Sequence, residues 1–323
     1  MNNRSLLLLT SLTRLVAPLL VGGHVLTSQA QYSAEVLKDG PIHYYRFEEA
    51  SGTTIADGGT PGGAPGTISG GVTLGKPSIT SALGRAAHFD GVNNTFVELG
   101  VFHPGDSMTV EAWASEDSDS SANYRAIAAR WDGSYELDLQ QTDYGNFVVR
   151  NNENTFGLAA TPKPVAREQW NHLVGVFDAV NGFCAIYING VLAESKTIAG
   201  VLQDNNRSPI DRVFIGATRT GVYCWKGLID EVAFYDKALT PQRIKAHYDA
   251  ALSSIKPPEL AIQTAALITW PNFSPNYILQ VSESLNEPRQ WLAVTDKISS
   301  EGGMFKLCLP AIGNKKFFRL FKP

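Results

Sequence analysis

The feature that most constrains this chain is a long series of short apolar alternations separated by turn residues. Between Tyr32 and Asp236, apolar and polar side chains alternate over short stretches, and Gly, Asn, Asp, Ser and Pro cluster between these stretches. Closely spaced strands of this kind are typical of antiparallel sandwiches and barrels. The dipeptides Asp90-Gly91 and Asn189-Gly190 supply the positive-φ positions that tight turns need. The sequence therefore predicts an all-β fold of two packed antiparallel sheets.

One Gly-rich segment, DGGTPGGAPGTISGGVTLG over residues 57–75, is predicted to be a surface loop. A loop that cradles phosphate leads into a helix and usually carries a basic residue. This segment has neither feature, so we do not expect it to bind a nucleotide or a phosphate.

A single helix is well signalled near the end of this region. Thr240 can cap its first turn, and Pro241 suits the first helical position. An apolar stripe follows at helical spacing, made of Ile244, Tyr248, Ala251 and Leu252. Pro257 and Pro258 then indicate a stiff linker.

The first thirty residues read as an export signal that is removed after Ala30. Arg4 and Arg14 give a positive start, the apolar run LVAPLLVGGHVL follows over residues 15–26, and the small residues Ser28 and Ala30 form a cleavage pattern. Pro18 and Arg14 make a stable membrane span unfavourable there. We expect a secreted protein, extracellular or periplasmic, with no membrane insertion after cleavage.

The predicted organisation has four segments. They are an export signal over 1–30, a large β domain over 31–252, a linker over 253–258 and a small β-sandwich-like module over 259–323. The net charge of the full chain is −4, and no basic stripe runs along any predicted strand. Nucleic acid and anionic membrane surfaces are therefore not expected partners.

The pieces of the large β domain resemble a known family when they are read in order. They include GRAAHFDG, MTVEAWAS, QWNHLVGVFD and the long block GLIDEVAFYDKALTPQRIKAHY. This ordered set resembles the LamG-like (laminin G type, concanavalin A-like) jelly-roll domains of secreted bacterial proteins. The resemblance implies two packed antiparallel sheets and a domain that binds carbohydrate or protein, often with calcium.

Calcium is the cofactor that this resemblance implies. In such domains the Asp that opens the last long strand often helps to hold a structural ion, and here that residue is Asp230. Glu48 and Asp57 are expected nearby, and Ca²⁺ takes such oxygen ligands without a linear motif. The alternative is that Asp230 only accepts backbone hydrogen bonds at the start of its strand.

The stretch YELDLQQTDYG, Tyr135 to Gly145, raises the possibility of glycosidase chemistry. Glu136 and Asp138 share one face of a strand because side chains alternate. The stretch resembles the Glu-x-Asp-x-Glu or Glu-x-Asp-x-x-Glu run of β-sandwich glycosidases, in which the first and last Glu supply the two carboxyl groups of a retaining mechanism. Here Gln140 or Gln141 stands at the last position, and an amide cannot replace that Glu. We therefore expect no catalytic residues. Glu136 and Asp138 either contact a ligand or form the polar face of an ordinary strand.

Aromatic residues near predicted turns are the candidate sugar contacts, since sugar rings stack on exposed aromatic side chains. They are Trp131, Tyr144, Tyr223 and Trp225. The alternative for each is ordinary packing in the core or at its rim. An exposed cluster beside Asn or Asp would favour binding.

Three further residues are predicted to be structural. Glu111 shares a strand face with Trp113, so a buried Glu111 would need an Arg or His partner. His172 matches the histidine that the family pattern often carries, and we predict a structural role for it. Cys184 and Cys224 are either buried apolar side chains or a disulfide.

The sequence therefore predicts a secreted, non-catalytic binding or adhesion protein that recognises glycan or protein. Two alternatives stay open: a purely structural module of a surface assembly, and a catalytically inactive relative of β-sandwich glycosidases. The geometry of the face that carries Glu136 and Asp138 distinguishes these possibilities.

Overall fold

The computed structural model describes residues 28–60, 63, 65–80, 83–130, 134–204, 212–218, 221–253, 261–263, 267–271, 277–284, 286, 288, 290–295, 298–301, 303–308 and 316–322. Most of the predicted export signal, residues 1–27, and the candidate sugar contact Trp131 lie outside these ranges.

The described residues form mostly strands, with one helix at each end of the first large region. The helices are α1 (Ser28–Leu37) and α2 (Pro241–Ser253). The strands before α2 are β1 (His43–Tyr45), β2 (Thr54–Ile55), β3 (Gly66–Ser69), β4 (Val72–Pro77), β5 (Arg85–Asp90), β6 (Phe96–Gly100), β7 (Met108–Glu116), β8 (Tyr124–Arg130), β9 (Tyr135–Gln140), β10 (Tyr144–Arg150), β11 (Phe156–Ala160), β12 (Asn171–Asp178), β13 (Phe183–Ile188), β14 (Val191–Thr197), β15 (Val213–Ile215) and β16 (Lys226–Tyr235). The strands after α2 are β17 (Ala261–Gln263), β18 (Leu267–Pro271), β19 (Ile278–Ser282), β20 (Leu292–Ala293), β21 (Ser299–Glu301), β22 (Met304–Cys308) and β23 (Phe317–Phe321).

Two large antiparallel sheets contain all the strands before α2. The first sheet has the order β14-β13-β12-β7-β16-β5-β4, and β1 also pairs with β16. The second sheet has the order β11-β10-β9-β8-β15-β6-β3-β2. The later strands form two small sheets, β17-β18-β22-β21 and β20-β19-β23. The predicted all-β class, with a jelly-roll sandwich, a short helix and a small C-terminal β module, is confirmed.

The main core lies between the two large sheets. Leu137 and Phe147 of the second sheet pack there with Val110 and Ile186 of the first. Gly175 on β12 faces Phe147, and a Cβ added at Gly175 would lie 2.1 Å from a ring carbon of Phe147. Because no side chain fits that gap, glycine lets the ring settle against the β12 backbone.

A second apolar cluster covers the opposite face of the first sheet. Tyr32 and Val36 of α1 and Ile244 of α2 pack there against Trp113 and Tyr235 of the sheet. The described residues from α1 to α2 therefore form three layers, helices on one sheet and that sheet on the other. We call the face of each large sheet that points away from the main core its outer face.

A buried ionic network fastens both helices to the first sheet. Glu111 on β7 lies 2.9 Å from His172 Nε2 and 3.0 Å from His247 Nδ1, and it accepts a hydrogen bond from the Tyr235 hydroxyl. The other ring nitrogen of His247 lies 2.8 Å from Asp39, just after α1. The predicted histidine partner of Glu111 and the structural position of His172 are thus both found.

Helix α2 begins as predicted, since Thr240 Oγ1 accepts a hydrogen bond from the Arg243 amide at 3.3 Å. Helix α1 carries no clear signal and was not predicted. The Gly-rich segment predicted as a surface loop is instead partly strand, because it contains β3 and most of β4. A Cβ added at Gly66 would lie 2.7 Å from Val97 Cγ1, so glycine permits close pairing of β3 with β6.

Cys184 and Cys224 are buried and are not joined by a disulfide. Burial raises the pKa of the Cys184 thiol to about 11, which keeps it protonated and unreactive. The structure thus places both thiols as apolar packing groups. No helix within the described ranges is long and apolar enough to cross a membrane.

Candidate functional site

The outer face of the second sheet carries the polar residues of the YELDLQ stretch. Tyr135, Leu137 and Leu139 point into the main core, so Glu136, Asp138 and Gln140 point away from it. The described helices pack on the other sheet, yet Glu136 and Asp138 are 3% and 0% exposed, and only Gln140 of these three is partly exposed. Glu136 and Asp138 therefore lie on the same face of β9, as the sequence predicted.

Exposed tyrosine side chains lie in a row across this face. Gln140 on β9 is directly opposite Tyr124 on β8 and Tyr144 on β10. The ring of Tyr223 lies 5.0 Å from the ring of Tyr124. Tyr124, Tyr144 and Tyr223 are 38%, 36% and 37% exposed, values that leave ring surface open to a ligand. We call these four residues the tyrosine row.

The dimensions of the tyrosine row follow from the sheet itself. Neighbouring strands lie about 4.8 Å apart, so the backbones under Tyr124 and Tyr144 are separated by about 10 Å. Gln140 lies midway between them and is half-buried. The rings of Tyr124 and Tyr144, with the amide of Gln140 between them, form a shallow site that is wide enough for an oligosaccharide.

Buried polar side chains lie beside Gln140. Asp138 is fully buried, and its Oδ2 accepts a hydrogen bond from Gln140 Nε2 at 2.8 Å. Asn146 is opposite Asp138 on β10, and its side chain donates to the Tyr144 carbonyl at 3.0 Å. Burial raises the pKa of Asp138 to about 6, although the Gln140 hydrogen bond acts in the opposite direction. The carboxylate thus orients the Gln140 amide.

A buried ion cluster fixes the end of the sheet that holds the tyrosine row. Arg125 on β8 is fully buried, with its Nε 2.6 Å from Glu116 and its Nη2 2.8 Å from Asp143. Its Nη1 also donates to the Gln141 carbonyl at 3.1 Å, and Arg167 reaches Asp143 at 2.7 Å. Because Gln141 and Asp143 belong to the turn between β9 and β10, Arg125 holds that turn in place.

Of the predicted ligand contacts, Tyr144 and Tyr223 lie in the tyrosine row, whereas Glu136 and Asp138 are 3% and 0% exposed and do not reach the surface. Trp225 does not join them, because it lies in the main core and is 1% exposed. Its backbone amide donates to the Gly216 carbonyl at 2.8 Å, which turns the side chain inward. The prediction of Trp225 as a surface contact is therefore corrected. Sequence reasoning missed Tyr124, Asn146 and Arg125, for which only strand register gives a signal.

The predicted metal ligands do not form one complete set. Asp230 is fully buried and accepts hydrogen bonds from the Ser78 hydroxyl and, at 2.8 Å, from the Glu231 amide. Burial and the charge of Glu231, with a smaller effect of Glu48, raise the pKa of Asp230 well above its ordinary value. Among the described residues, no three His, Cys, Asp or Glu side chains are arranged to hold a metal ion.

Asp57 is engaged elsewhere. Its Oδ2 lies 2.6 Å from His43 Nδ1, and its Oδ1 accepts the backbone amides of Tyr44 at 2.8 Å and Gly59 at 2.9 Å. With both oxygens in these hydrogen bonds, Asp57 is a structural partner of His43. Because the described residues contain no cluster of three potential metal ligands, the predicted set of Asp230, Glu48 and Asp57 is not assembled, and that prediction is corrected.

The chain matches a known family over most of the sandwich. Residues 90–245 match the Laminin G family model described as the concanavalin A-like lectin/glucanases superfamily, which confirms the resemblance in the sequence. The matched range contains every residue of the tyrosine row.

Two curated proteins are similar to parts of the chain. Sialidase B of Streptococcus pneumoniae is 29% identical over 126 residues, which are 38% of this chain and 17% of that protein. Human adhesion G-protein coupled receptor D1 is 28% identical over 105 residues, which are 32% of this chain and 11% of that protein. The chain thus matches less than a fifth of the length of each relative.

Solved structures share the fold. Domain 4 of an extracellular arabinanase from Geobacillus stearothermophilus, in complex with arabinotriose, has a TM-score of 0.51 and 22% identity. That match covers 64% of this chain and 98% of the arabinanase domain. The ligand-binding domain of botulinum neurotoxin serotype D, in complex with N-acetylneuraminic acid, has a TM-score of 0.52 and 12% identity, and the match covers 86% and 80%.

Proposed function

We propose that this chain, whose residues 90–245 match the concanavalin A-like lectin and glucanase superfamily, is a secreted, non-catalytic glycan-binding protein. The site is the tyrosine row on the outer face of the second sheet. One observation carries the proposal: the exposed Tyr124 and Tyr144 flank an oriented amide on adjacent strands, and the exposed Tyr223 lies against Tyr124. The neighbouring structures that hold arabinotriose and N-acetylneuraminic acid support it.

The chemistry of the tyrosine row suits a sugar. The C–H faces of a pyranose ring stack on aromatic rings, and its hydroxyl groups need hydrogen-bond partners. Gln140 donates one N–H to Asp138, which leaves its Oε1 and its second N–H for the ligand. Because the Asp138 carboxylate is buried, it fixes this orientation before a ligand arrives.

An amide in place of a carboxylate at position 140 of β9 supports binding without catalysis. Gln140 occupies the position where a hydrolytic version of this strand would carry a proton donor. An amide cannot act as a general acid or base. We therefore propose that Glu136 and Asp138 support the site and do not cleave the ligand.

We also propose Asp230 and Glu48 as the carboxylate ligands of the structural calcium that the family implies. Asp230 and Glu231 are adjacent buried carboxyls, and burial raises the pKa of Glu231 to about 8. A divalent cation would offset this concentration of negative charge. Water and backbone oxygens would complete the shell, without Asp57.

The experiment is a glycan array probed with the full secreted chain, with and without calcium, followed by titration of the best ligand. We expect Tyr144→Ala and Tyr124→Ala each to weaken binding about tenfold, as the loss of a stacking contact predicts. Val191→Ala, an exposed apolar residue on the edge strand β14 of the other sheet, is the matched control. An array without a bound glycan, or tyrosine variants that bind like the wild type, would contradict the proposal.

A further inference from the structure

A second exposed aromatic cluster lies on the small sheet β20-β19-β23. Leu279 of β19 and Leu320 of β23 belong to the core of this module. Alternation therefore points Ile278, Gln280, Arg319 and Phe321 to the opposite face. In the register, Arg319 is opposite Gln280, and Phe321 is opposite Ile278.

The side chain of Arg319 is held in one orientation on this face. Its guanidinium carbon lies 4.4 Å from the ring centroid of Trp291 and 5.4 Å from that of Phe321. Its Nε donates a hydrogen bond to Gln280 Oε1 at 2.8 Å. Two cation–π contacts and one hydrogen bond thus order an otherwise flexible exposed side chain.

The guanidinium keeps its remaining donors available. Within the described residues, no carboxylate pairs with Arg319, and its two terminal nitrogens make no hydrogen bond. Lys316 and Lys322 belong to the same segment of chain, which adds positive charge. Residues 259–323 contain seven Lys and Arg against five Asp and Glu, whereas the full chain has a net charge of −4. A planar, oriented fork of N–H donors is the group that binds carboxylates in a bidentate manner.

We propose that this face, formed by Ile278, Gln280, Trp291, Arg319 and Phe321, binds a carboxylate-bearing polysaccharide such as a polyuronate. Phe321 and Ile278 are 40% and 41% exposed and form an apolar step beside Arg319. The pair Gln280–Arg319 and the pair Ile278–Phe321 are two positions apart along the strands, which is about 7 Å. One uronic acid unit joins a carboxylate to a rigid C–H ring face and fits both parts of the face.

Other anionic partners fit this face less well. An acidic peptide supplies carboxylates on flexible side chains and has no ring face for Phe321 and Ile278. An anionic membrane would gain only about 1 kcal/mol from each of the three cations, which is too little for stable attachment. The sugar acid is the ligand that uses the charge and the apolar step together.

The inference is independent of the tyrosine row, because it concerns a different sheet and a ligand of different charge. The full chain is titrated calorimetrically with tetragalacturonate. We expect binding, and we expect Arg319→Lys to lower the affinity about tenfold, because lysine keeps the charge but loses the bidentate fork. Lys322→Gln, which removes a charge from the same segment, is the control and is expected to change the affinity less than about twofold.

Several results would overturn the inference. They are no binding of tetragalacturonate, equal weakening by Arg319→Lys and Lys322→Gln, and equal affinity for a polyglutamate of the same charge. Binding that requires anionic vesicles would also overturn it. Thermal melting of each variant separates a purely structural Arg319 from a binding residue. A lowered melting temperature with unchanged tetragalacturonate affinity would assign the stack to folding alone.

Discussion

Replacing Glu111 with Gln tests whether a buried charge network holds the helices on the first sheet. Glu111, His172 and His247 are all fully buried. Removing the charge of one partner from a buried ion pair costs about 3–5 kcal/mol. Because an amide can keep part of the hydrogen bonding, we expect the lower end, about 3 kcal/mol. For a domain of this size that corresponds to a fall in melting temperature of about 6–12 °C.

The effect depends on pH in a direction that the pKa shifts determine. Burial alone would raise the pKa of Glu111, but the charge of His247 and the hydrogen bonds of His172 and His247 hold it well below its ordinary value of 4.5. This stabilisation is present above pH 4.5 and is lost as the pH falls further. Burial lowers the pKa of His247, but the charge of Glu111 acts in the opposite direction, and this pKa lies above 6.5. The contribution of protonated His247 to stability is therefore complete below pH 6.5 and is lost as the pH rises.

The assay is urea unfolding of the wild type and Glu111→Gln, followed by circular dichroism between pH 4 and pH 9. The difference between the two proteins should be largest between pH 4.5 and 6.5 and smaller on either side. Glu194→Gln is the matched control, since Glu194 forms a surface pair with Lys196 at 3.8 Å and should cost less than about 1 kcal/mol. A Glu111→Gln variant within about 1 kcal/mol of the wild type at pH 5.5 would refute the reasoning.

Three other predictions follow from buried residues. Because burial raises the pKa of Glu231 to about 8, wild-type stability should decline between pH 4.5 and 8, and urea unfolding of Glu231→Gln should show a smaller decline. Calcium added after chelation should raise the melting temperature through Asp230 and Glu48, and superimposable melting curves would contradict the calcium proposal. Gly175→Ala should destabilise the sandwich by about 1–3 kcal/mol in the same unfolding assay, since its methyl group would overlap Phe147; unchanged stability would mean that the ring can move.

Sequence patterns predict the local structure of this chain, but they do not predict how its strands pair. The alternation of Tyr135, Leu137 and Leu139 predicts which face of β9 is buried, and the structure agrees. Thr240 predicts the start of α2. Strand β3 was missed because glycine normally weakens a strand, yet Gly66 is needed there for close packing against Val97.

The site required information that no local pattern contains. Tyr124, Gln140 and Tyr144 become neighbours only through the registers of β8, β9 and β10. Tyr223 joins them from a segment 79 residues beyond Tyr144 along the chain. Trp225 looked equally available in the sequence, but the chain turns its side chain into the core.

Each large sheet carries a buried carboxylate on its outer face, and the two carboxylates have different roles. On the outer face of the first sheet, the helices cover Glu111, and both of its oxygens are occupied by internal partners. On the outer face of the second sheet, Asp138 is equally buried, but the residue it orients, Gln140, is half-exposed between two tyrosines. Because Asp138 orients the exposed amide of Gln140, it affects the binding of any ligand that contacts that amide. If Asp138→Asn weakens glycan binding without lowering the melting temperature, its role is ligand positioning; a lowered melting temperature with unchanged affinity would make it a counterpart of Glu111.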